Sequence, residues 1–204
     1  MTITAIDPRT ALVLIDLQNG ITALVDPAVL AEPVARAAEL AAAFRARDLP
    51  VILVRTGFAP DGADAPRNRT GVVRPSGRPA ARELAERPSA QVNWTDPLAA
   101  VDPRPSDVVV IKHQPGAFHG TDLDVQLRRR GVTGIVLGGV ATSLGVESTG
   151  RAGYDHGYNL TFAADAMTDP DLDAHEHSLR VTFPKFGEVG TAAAIATAIG
   201  VPVP

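Results

Sequence analysis

Residues 11–16 read ALVLID, a run of apolar residues followed at once by a carboxylate. Similar short apolar runs recur later in the chain, at Val51–Val54, Val108–Ile111, Ile135–Leu137 and Leu160–Ala163. Runs of this length without polar alternation are typical of strands buried on both faces of a parallel sheet. The runs therefore predict a mainly parallel sheet, with residues 11–15 as its first strand.

The segments between these runs have the composition of helices. Pro27–Arg47 is rich in Ala, Glu, Leu and Arg, with Asp26 placed as the N-cap and Pro27 at the first helical position. Further helices are predicted over Asp122–Arg130, Ser143–His156, Asp169–Arg180 and Thr191–Ile199. Alternating strands and helices predict an α/β protein with a doubly wound sheet. The Pro- and Gly-rich stretch Asp61–Arg87 has no clear period and is either a surface excursion or a lid.

Length and composition limit the class of protein. The 204 residues suit one domain, predicted over residues 1–204. A net charge of −4 and the lack of a long basic run argue against a nucleic-acid partner. No apolar run reaches the roughly 20 residues of a membrane span, and the first residues lack the pattern of a signal peptide. We therefore expect a cytoplasmic protein with no membrane partner.

Two opposite charges follow predicted strands. Asp16 ends the first run and Lys112 ends the third. Ligands of open α/β sheets bind beyond the carboxyl ends of the strands. Each charge alone has an ordinary interpretation, as a cap or as a lysine whose amine reaches solvent. Together they predict a pair in which each neutralises the other at the edge of the sheet.

The fourth run leads into a stretch of small residues. Residues 138–145 read GGVATSLG, which predicts a strand, a tight turn and the start of a helix. Backbone N–H groups at a helix start favour anions and developing oxyanions. An ordinary strand-to-helix turn with Ser143 as its cap would have the same pattern.

Taken together, these motifs resemble the isochorismatase-like hydrolase family over about residues 10–190. The similar blocks are ALVLIDLQNG at residue 11, VVVIKHQPGAFHGTDLDVQLRRR at residue 108 and GVATSLGVESTGRAGYDHGY at residue 139. The resemblance implies a three-layer α/β/α, Rossmann-like fold. It also implies catalytic roles for Asp16 and Lys112, and a cis peptide bond between Val140 and Ala141. Gly145 stands at the position where most members carry a nucleophilic cysteine.

The glycine decides which mechanism to expect. The chain contains no cysteine, and Gly145 has no side chain with which to attack. Nicotinamidase-like activity is therefore not expected, and residues 55–58 lack the Asp/His metal cluster of that group. We expect a hydrolase that acts on a small molecule, such as a vinyl ether or a similar metabolite, by acid–base catalysis without a metal or cofactor. The alternative is a non-catalytic member that binds a small molecule or forms oligomers.

Several residues near these motifs are predicted to bind the substrate. The oxyanion and nucleophile positions are Ala141 and Gly145. The predicted contact residues are Gln18, Trp94, Phe118, Val140, Thr142, Ser143 and Leu144. Residues such as Trp94 and Phe118 are more often simple packing residues, and a serine nucleophile at position 143 has no neighbouring histidine in the sequence. The family resemblance further implies a homodimer or homotetramer.

Overall fold

A computed structural model describes residues 3–59, 61, 63–64 and 94–201 of the chain. Its sheet has six strands: β1 Thr10–Ile15, β2 Val51–Thr56, β3 Val108–Lys112, β4 Gly134–Val140, β5 Asn159–Thr168 and β6 Gly187–Gly190. The spatial order is β3-β2-β1-β4-β5-β6, and every neighbouring pair is parallel. The predicted doubly wound α/β fold is confirmed.

Helices lie on both faces of this sheet. They are α1 Asn19–Thr22, α2 Pro27–Ala46, α3 Leu123–Arg129, α4 Glu147–Asp155, α5 Leu172–His177 and α6 Ala192–Ala198. Asp26 caps α2 as predicted, since its carboxylate accepts a hydrogen bond from the backbone N–H of Ala28. Gly131, with a φ of 65°, follows the end of α3 as predicted. None of the helices among the described residues is long and apolar enough to cross a membrane.

The alternation of side chains in β1 divides the core into two layers. Ala11, Val13 and Ile15 pack on one face of the sheet, in a cluster with residues of α3. Leu12 and Leu14 pack on the other face, in a cluster with α2 and α6. Burial on both faces explains why the strand reads as a continuous apolar run.

Some predicted boundaries were wrong, and glycine explains one of them. Gly138 and Gly139 were expected in a turn but lie inside β4. At Gly139 φ is 120°, and a Cβ would lie 2.1 Å from the backbone oxygen of Ile15, so the strand end tolerates no side chain there. The short strand β6, with the sequence GEVG, was not predicted. The stretch Asp61–Arg87 falls outside the described residues except at positions 61, 63 and 64.

The strand order also fixes where a ligand site is expected. β1 lies between β2 and β4, and the direction in which the chain adds strands reverses between β1 and β4. Crevices at such reversals, beyond the carboxyl ends of the strands, are the usual ligand sites of open α/β sheets. Asp16 directly follows β1 at this point.

Candidate active site

Asp16 is a buried carboxylate in a left-handed backbone conformation. Its φ is 52° and the residue is 5% exposed. Its backbone N–H donates to the carbonyl oxygen of Val54 at 2.9 Å, which ties it to β2. Among residues with side chains, aspartate and asparagine tolerate this conformation best. The backbone thus turns sharply at the carboxyl end of β1.

Asp16 pairs with Lys112, as the sequence predicted. Lys112 Nζ donates to Asp16 Oδ2 at 2.7 Å, and Lys112 is 2% exposed. The lysine reaches its partner from β3, across the end of β2. There the Thr56 hydroxyl donates to Asp16 Oδ1 at 3.0 Å and accepts from Lys112 Nζ at 3.0 Å. Three polar side chains therefore meet where three neighbouring strands end.

Burial and charge act in opposite directions on Asp16. Burial raises the pKa of the Asp16 carboxyl above its ordinary value, because a buried carboxylate loses the water that stabilises its charge. The positive charge of Lys112 and the hydrogen bonds from Lys112 and Thr56 oppose this rise in pKa without cancelling it. The Asp16 carboxyl therefore keeps a proton to higher pH than an ordinary aspartate does.

A turn after β4 forms the opposite wall of the site. The peptide bond between Val140 and Ala141 is cis, as the family resemblance implied. A wide helical turn follows, in which the N–H groups of Leu144 and Val146 both donate to the carbonyl oxygen of Ala141. A Cβ at Gly145 would lie 3.5 Å from Asp16 Oδ2. Position 145 therefore faces the oxygen of Asp16 that also contacts Lys112.

A cavity of about 230 Å³ opens between the pair and this turn. Its polar end is formed by Asp16, Thr56 and Lys112. The rest of its wall, which is mainly apolar, is formed by Ile21, Phe58, Trp94, His113, Gln114, Pro115, Val140, Ala141, Leu144 and Gly145. A larger cleft of about 550 Å³ lies at the opposite edge of the sheet, where β1, β2 and β3 begin. Because the buried acid–base pair lines the smaller cavity, that cavity is the candidate site.

The structure brings most of the predicted site residues to this cavity. Besides the charged pair, these are Trp94, Val140, Ala141, Leu144 and Gly145. Trp94 is 7% exposed and packs so closely over Gly20 that a Cβ at Gly20 would lie 2.0 Å from the indole nitrogen. The position after Asn19 must therefore stay glycine for Trp94 to form this wall.

Four predicted substrate-binding residues have other partners. The Gln18 amide accepts from the backbone N–H of Thr56 at 2.7 Å and donates to its carbonyl at 2.9 Å. Phe118 stacks with the rings of His156 and Tyr158. Thr142 Oγ1 lies 2.8 Å from His175 Nδ1, and Ser143 Oγ donates to Asp169 Oδ2 at 2.7 Å. Substrate contact by these four residues stays a prediction, and their observed contacts indicate structural roles.

Three residues that organise the site are not among those predicted from the sequence. The second apolar run ends at Val54, two residues short of the observed strand, and so does not include Thr56. Asp169 accepts from the backbone N–H of Ser143 at 2.9 Å and so holds the turn after β4. His175 contacts Thr142 from α5, and burial lowers the pKa of His175, which favours its neutral form. Thr56 ends β2 and Asp169 directly follows β5, so their positions carried a signal in the sequence, whereas that of His175 within α5 did not.

Within residues 3–59, 61, 63–64 and 94–201, no three His, Asp or Glu side chains are grouped so that they would hold a metal ion. Lys112 is the charged partner of Asp16 in the cavity. Fold and site together define an α/β protein with a buried Asp–Lys pair at the point where the strand order reverses.

Comparison with known proteins identifies the family. Residues 10–194 match the isochorismatase domain. The chain is 41% identical to the isochorismatase family protein YecD of Escherichia coli, over 93% of this chain and 96% of that protein. It is 32% identical to the ureidoacrylate amidohydrolase RutB of Methylobacterium radiotolerans, over 97% of this chain and 83% of that protein. The chain therefore belongs to the isochorismatase-like hydrolase family.

Solved structures agree with this assignment. An isochorismatase family protein from Burkholderia thailandensis superimposes with a TM-score of 0.84 at 47% identity, covering 96% of this chain and 97% of that one. A cysteine hydrolase from Pseudomonas syringae pv. phaseolicola superimposes with a TM-score of 0.79 at 28% identity, covering 97% and 96% of the two chains. The present chain, by contrast, contains no cysteine.

Proposed function

We propose that the protein hydrolyses a small molecule by acid–base catalysis through Asp16 and Lys112, without a covalent intermediate. The observation that carries this proposal is the buried contact of 2.7 Å between Lys112 Nζ and Asp16 Oδ2 at the polar end of a cavity. Burying two charges costs free energy, so a pair kept beside a cavity favours a functional role over a structural one. The names of the relatives, an amidohydrolase and a cysteine hydrolase, support hydrolysis as the class of reaction.

Gly145 directs the proposal away from a thiol mechanism. We infer that it replaces the nucleophilic cysteine of the family, since it faces Asp16 Oδ2 from the turn after β4. Without a side chain at this position, water is the attacking species. Asp16 is then a general acid or base toward the substrate and this water, and Lys112 orients the carboxyl and balances its charge.

The cavity suits a small and largely apolar substrate with one polar reacting group. Its volume is about 230 Å³, and Phe58, Trp94 and Leu144 form part of its apolar wall. A vinyl ether or a similar water-labile metabolite fits these requirements. Protonation of its double-bond carbon by Asp16 leaves a cation at the carbon that bears oxygen. Water adds to this cation and returns a proton to Asp16. The resulting hemiacetal or hemiketal passes its hydroxyl proton to the ether oxygen as the carbon–oxygen bond breaks, which releases a carbonyl compound and an alcohol.

A second function is a non-catalytic one, in which the cavity only binds a small molecule. The absence of cysteine from the chain favours this alternative. A cytoplasmic location and an assembly of two or four copies also stay predictions, and either function is compatible with them.

A metabolite panel assayed with the wild type and Asp16→Asn distinguishes the two functions. Asparagine keeps the size of the side chain and tolerates the left-handed backbone, so the variant removes the carboxyl, with its charge and its proton transfer, and keeps the shape of the site. For any compound that is turned over, we expect kcat/KM to fall at least about 10²-fold in Asp16→Asn. A matched control is Asp48→Asn, the same change at a left-handed aspartate (φ 53°) beside the cleft at the opposite edge of the sheet.

The outcomes separate clearly. If the wild type and Asp48→Asn turn a compound over and Asp16→Asn does not, the result supports the hydrolase function. Compounds that raise the melting temperature of the wild type without being converted support the binding function instead. Equal turnover by the wild type and Asp16→Asn contradicts the proposed mechanism.

A further inference from the structure

The Thr56 hydroxyl makes two hydrogen bonds whose directions are fixed by chemistry. Its oxygen lies 3.0 Å from Asp16 Oδ1 and 3.0 Å from Lys112 Nζ. A lysine ammonium has only donors, so it donates to the threonine oxygen. The single hydroxyl proton of Thr56 is then directed at Asp16 Oδ1, which accepts it.

The two oxygens of Asp16 consequently have different surroundings. Oδ1 accepts from Thr56, whereas Oδ2 accepts from Lys112 and faces position 145, where a Cβ would lie 3.5 Å away. Each carboxyl oxygen has two lone pairs, so a hydrogen bond accepted by an oxygen does not by itself exclude a proton from it. Oδ1 is bonded to Thr56 of β2, whereas Oδ2 faces position 145, so a proton exchanged with a substrate there is carried on Oδ2.

We propose that Thr56 is a positioning residue that holds the Asp16 carboxyl with Oδ2 toward the substrate cavity, so that a transferable proton on Oδ2 faces the substrate. The inference rests on the proposed function for the identity of the acid, but the hydrogen-bond arrangement is independent of any substrate. The strand order explains why β2 supplies this residue. β2 lies between β1 and β3, and Thr56 is the residue of β2 paired in register with Lys112.

The backbone of Thr56 is held separately from its hydroxyl. The Gln18 side chain bonds both the N–H and the carbonyl of Thr56, at 2.7 Å and 2.9 Å. Thr56→Val therefore removes the hydroxyl while keeping the shape of the side chain and the anchored backbone. Thr56→Ser keeps the hydroxyl and removes a methyl group, so it serves as the matched control.

The test is the titration of the Asp16 carboxyl carbon by ¹³C NMR in protein labelled at aspartate, assigned by its loss in Asp16→Asn. The hydroxyl stabilises the carboxylate form, so Thr56→Val is expected to raise the pKa of Asp16 above that of the wild type. Thr56→Ser is expected to titrate close to the wild type. Both variants keep the other ionisable groups that line the cavity, Lys112 and His113, and in Thr56→Val Lys112 loses its hydrogen bond to the hydroxyl.

Kinetics on any compound turned over by the wild type provide a second readout. Thr56→Val is expected to lower kcat about tenfold or more with KM nearly unchanged, and Thr56→Ser to restore most of kcat. An Asp16 titration that is the same in Thr56→Val and the wild type, or equally shifted in Thr56→Val and Thr56→Ser, overturns the positioning role. A shifted titration with no compound turned over by the wild type would instead count against the proposed function alone. Should Thr56→Val fail to fold, Thr56→Ala is titrated against Thr56→Ser with the same expectations.

Discussion

Asp16 and Lys112 are two charges that the fold holds almost entirely away from water. The attraction between the two charges, whose polar atoms lie 2.7 Å apart, offsets part of the free energy lost when each leaves water. Thr56 contributes two further hydrogen bonds. Removing one member of such a pair leaves the other charge buried without compensation. The stability of the protein should then depend on whether that remaining group can become neutral.

Lys112→Met tests this dependence through pH. A carboxyl whose pKa is raised by folding contributes stability that is fully present below its unfolded pKa and is lost as pH rises through its folded pKa. Burial already raises the pKa of Asp16, and loss of the lysine raises it further. We therefore expect Lys112→Met to reduce the free energy of unfolding on the order of 3 kcal/mol at about pH 8 and much less at about pH 5.

The measurement is urea unfolding of the wild type and the variant at both pH values. A suitable control is Arg36→Met, which breaks an exposed ion pair with Glu39 and should change the free energy of unfolding little at either pH. A Lys112→Met effect that is the same size at both pH values would show that Asp16 does not retain its proton more readily without the lysine.

The sequence indicated the charged pair but not every residue around it. Asp16 and Lys112 were predictable because a charged side chain directly after a buried strand lies at the end of the sheet, where a partner of opposite charge can neutralise it. Thr142 and Ser143 are neighbours of Gly145 in sequence, yet the wide turn directs their hydroxyls to His175 and Asp169. The direction in which a side chain points from a turn depends on backbone dihedral angles, and the residue types do not determine these angles.

At the scale of elements, the turn after β4 packs directly against β1. A Cβ at Gly145 would lie 2.9 Å from Cγ2 of Ile15 and 3.4 Å from the carbonyl oxygen of Val140. A contact of 2.9 Å requires a neighbouring atom to move. Cγ2 has little freedom to do so, because it belongs to the β-branched and fully buried side chain of Ile15. The glycine thus allows a closer approach of turn and strand than any other residue would.

This packing predicts the effect of adding a methyl group at position 145. Gly145→Ala should lower the free energy of unfolding by about 1–3 kcal/mol, because it overpacks the contact with Ile15. In Ile15→Ala the clashing atom is gone, so the double variant should lose less than the sum of the two single changes. Urea unfolding of the four proteins measures this coupling.

Gly116→Ala is the control, since a Cβ there meets Ser148 at an ordinary 3.5 Å. Strict additivity of Gly145→Ala and Ile15→Ala would contradict the close packing of turn and strand.

Elements with strong patterns were predictable, and those without them were not. The α2 helix and the first five strands follow from apolar runs, a cap and a proline at the helix start. β6 reads GEVG, which is too short and too rich in glycine to show a strand pattern, and its pairing with β5 creates the strand. The predicted helix Asp169–Arg180 is observed as α5 followed by the wide turn Ser178–Thr182.

For the whole molecule, the order of the strands assembles the site. Alternation of strands and helices predicts a parallel sheet but does not give its order. With the order β3-β2-β1-β4, Lys112 reaches Asp16 across β2, and the turn after β4 closes the cavity from the other side. Thr56 becomes a member of the site only once β2 is known to lie between the two charged residues.

A crystal structure of Asp16→Asn with a compound that the wild type converts tests whether Asp16 exchanges a proton with a substrate held in the cavity beside Gly145. We predict that the reacting atom lies within about 2.6–3.2 Å of the side chain at position 16, with the compound between Lys112 and the Val140–Ala141 turn. A compound bound in the cleft at the opposite edge of the sheet, or in this cavity with its reacting bond turned away from position 16, would contradict it.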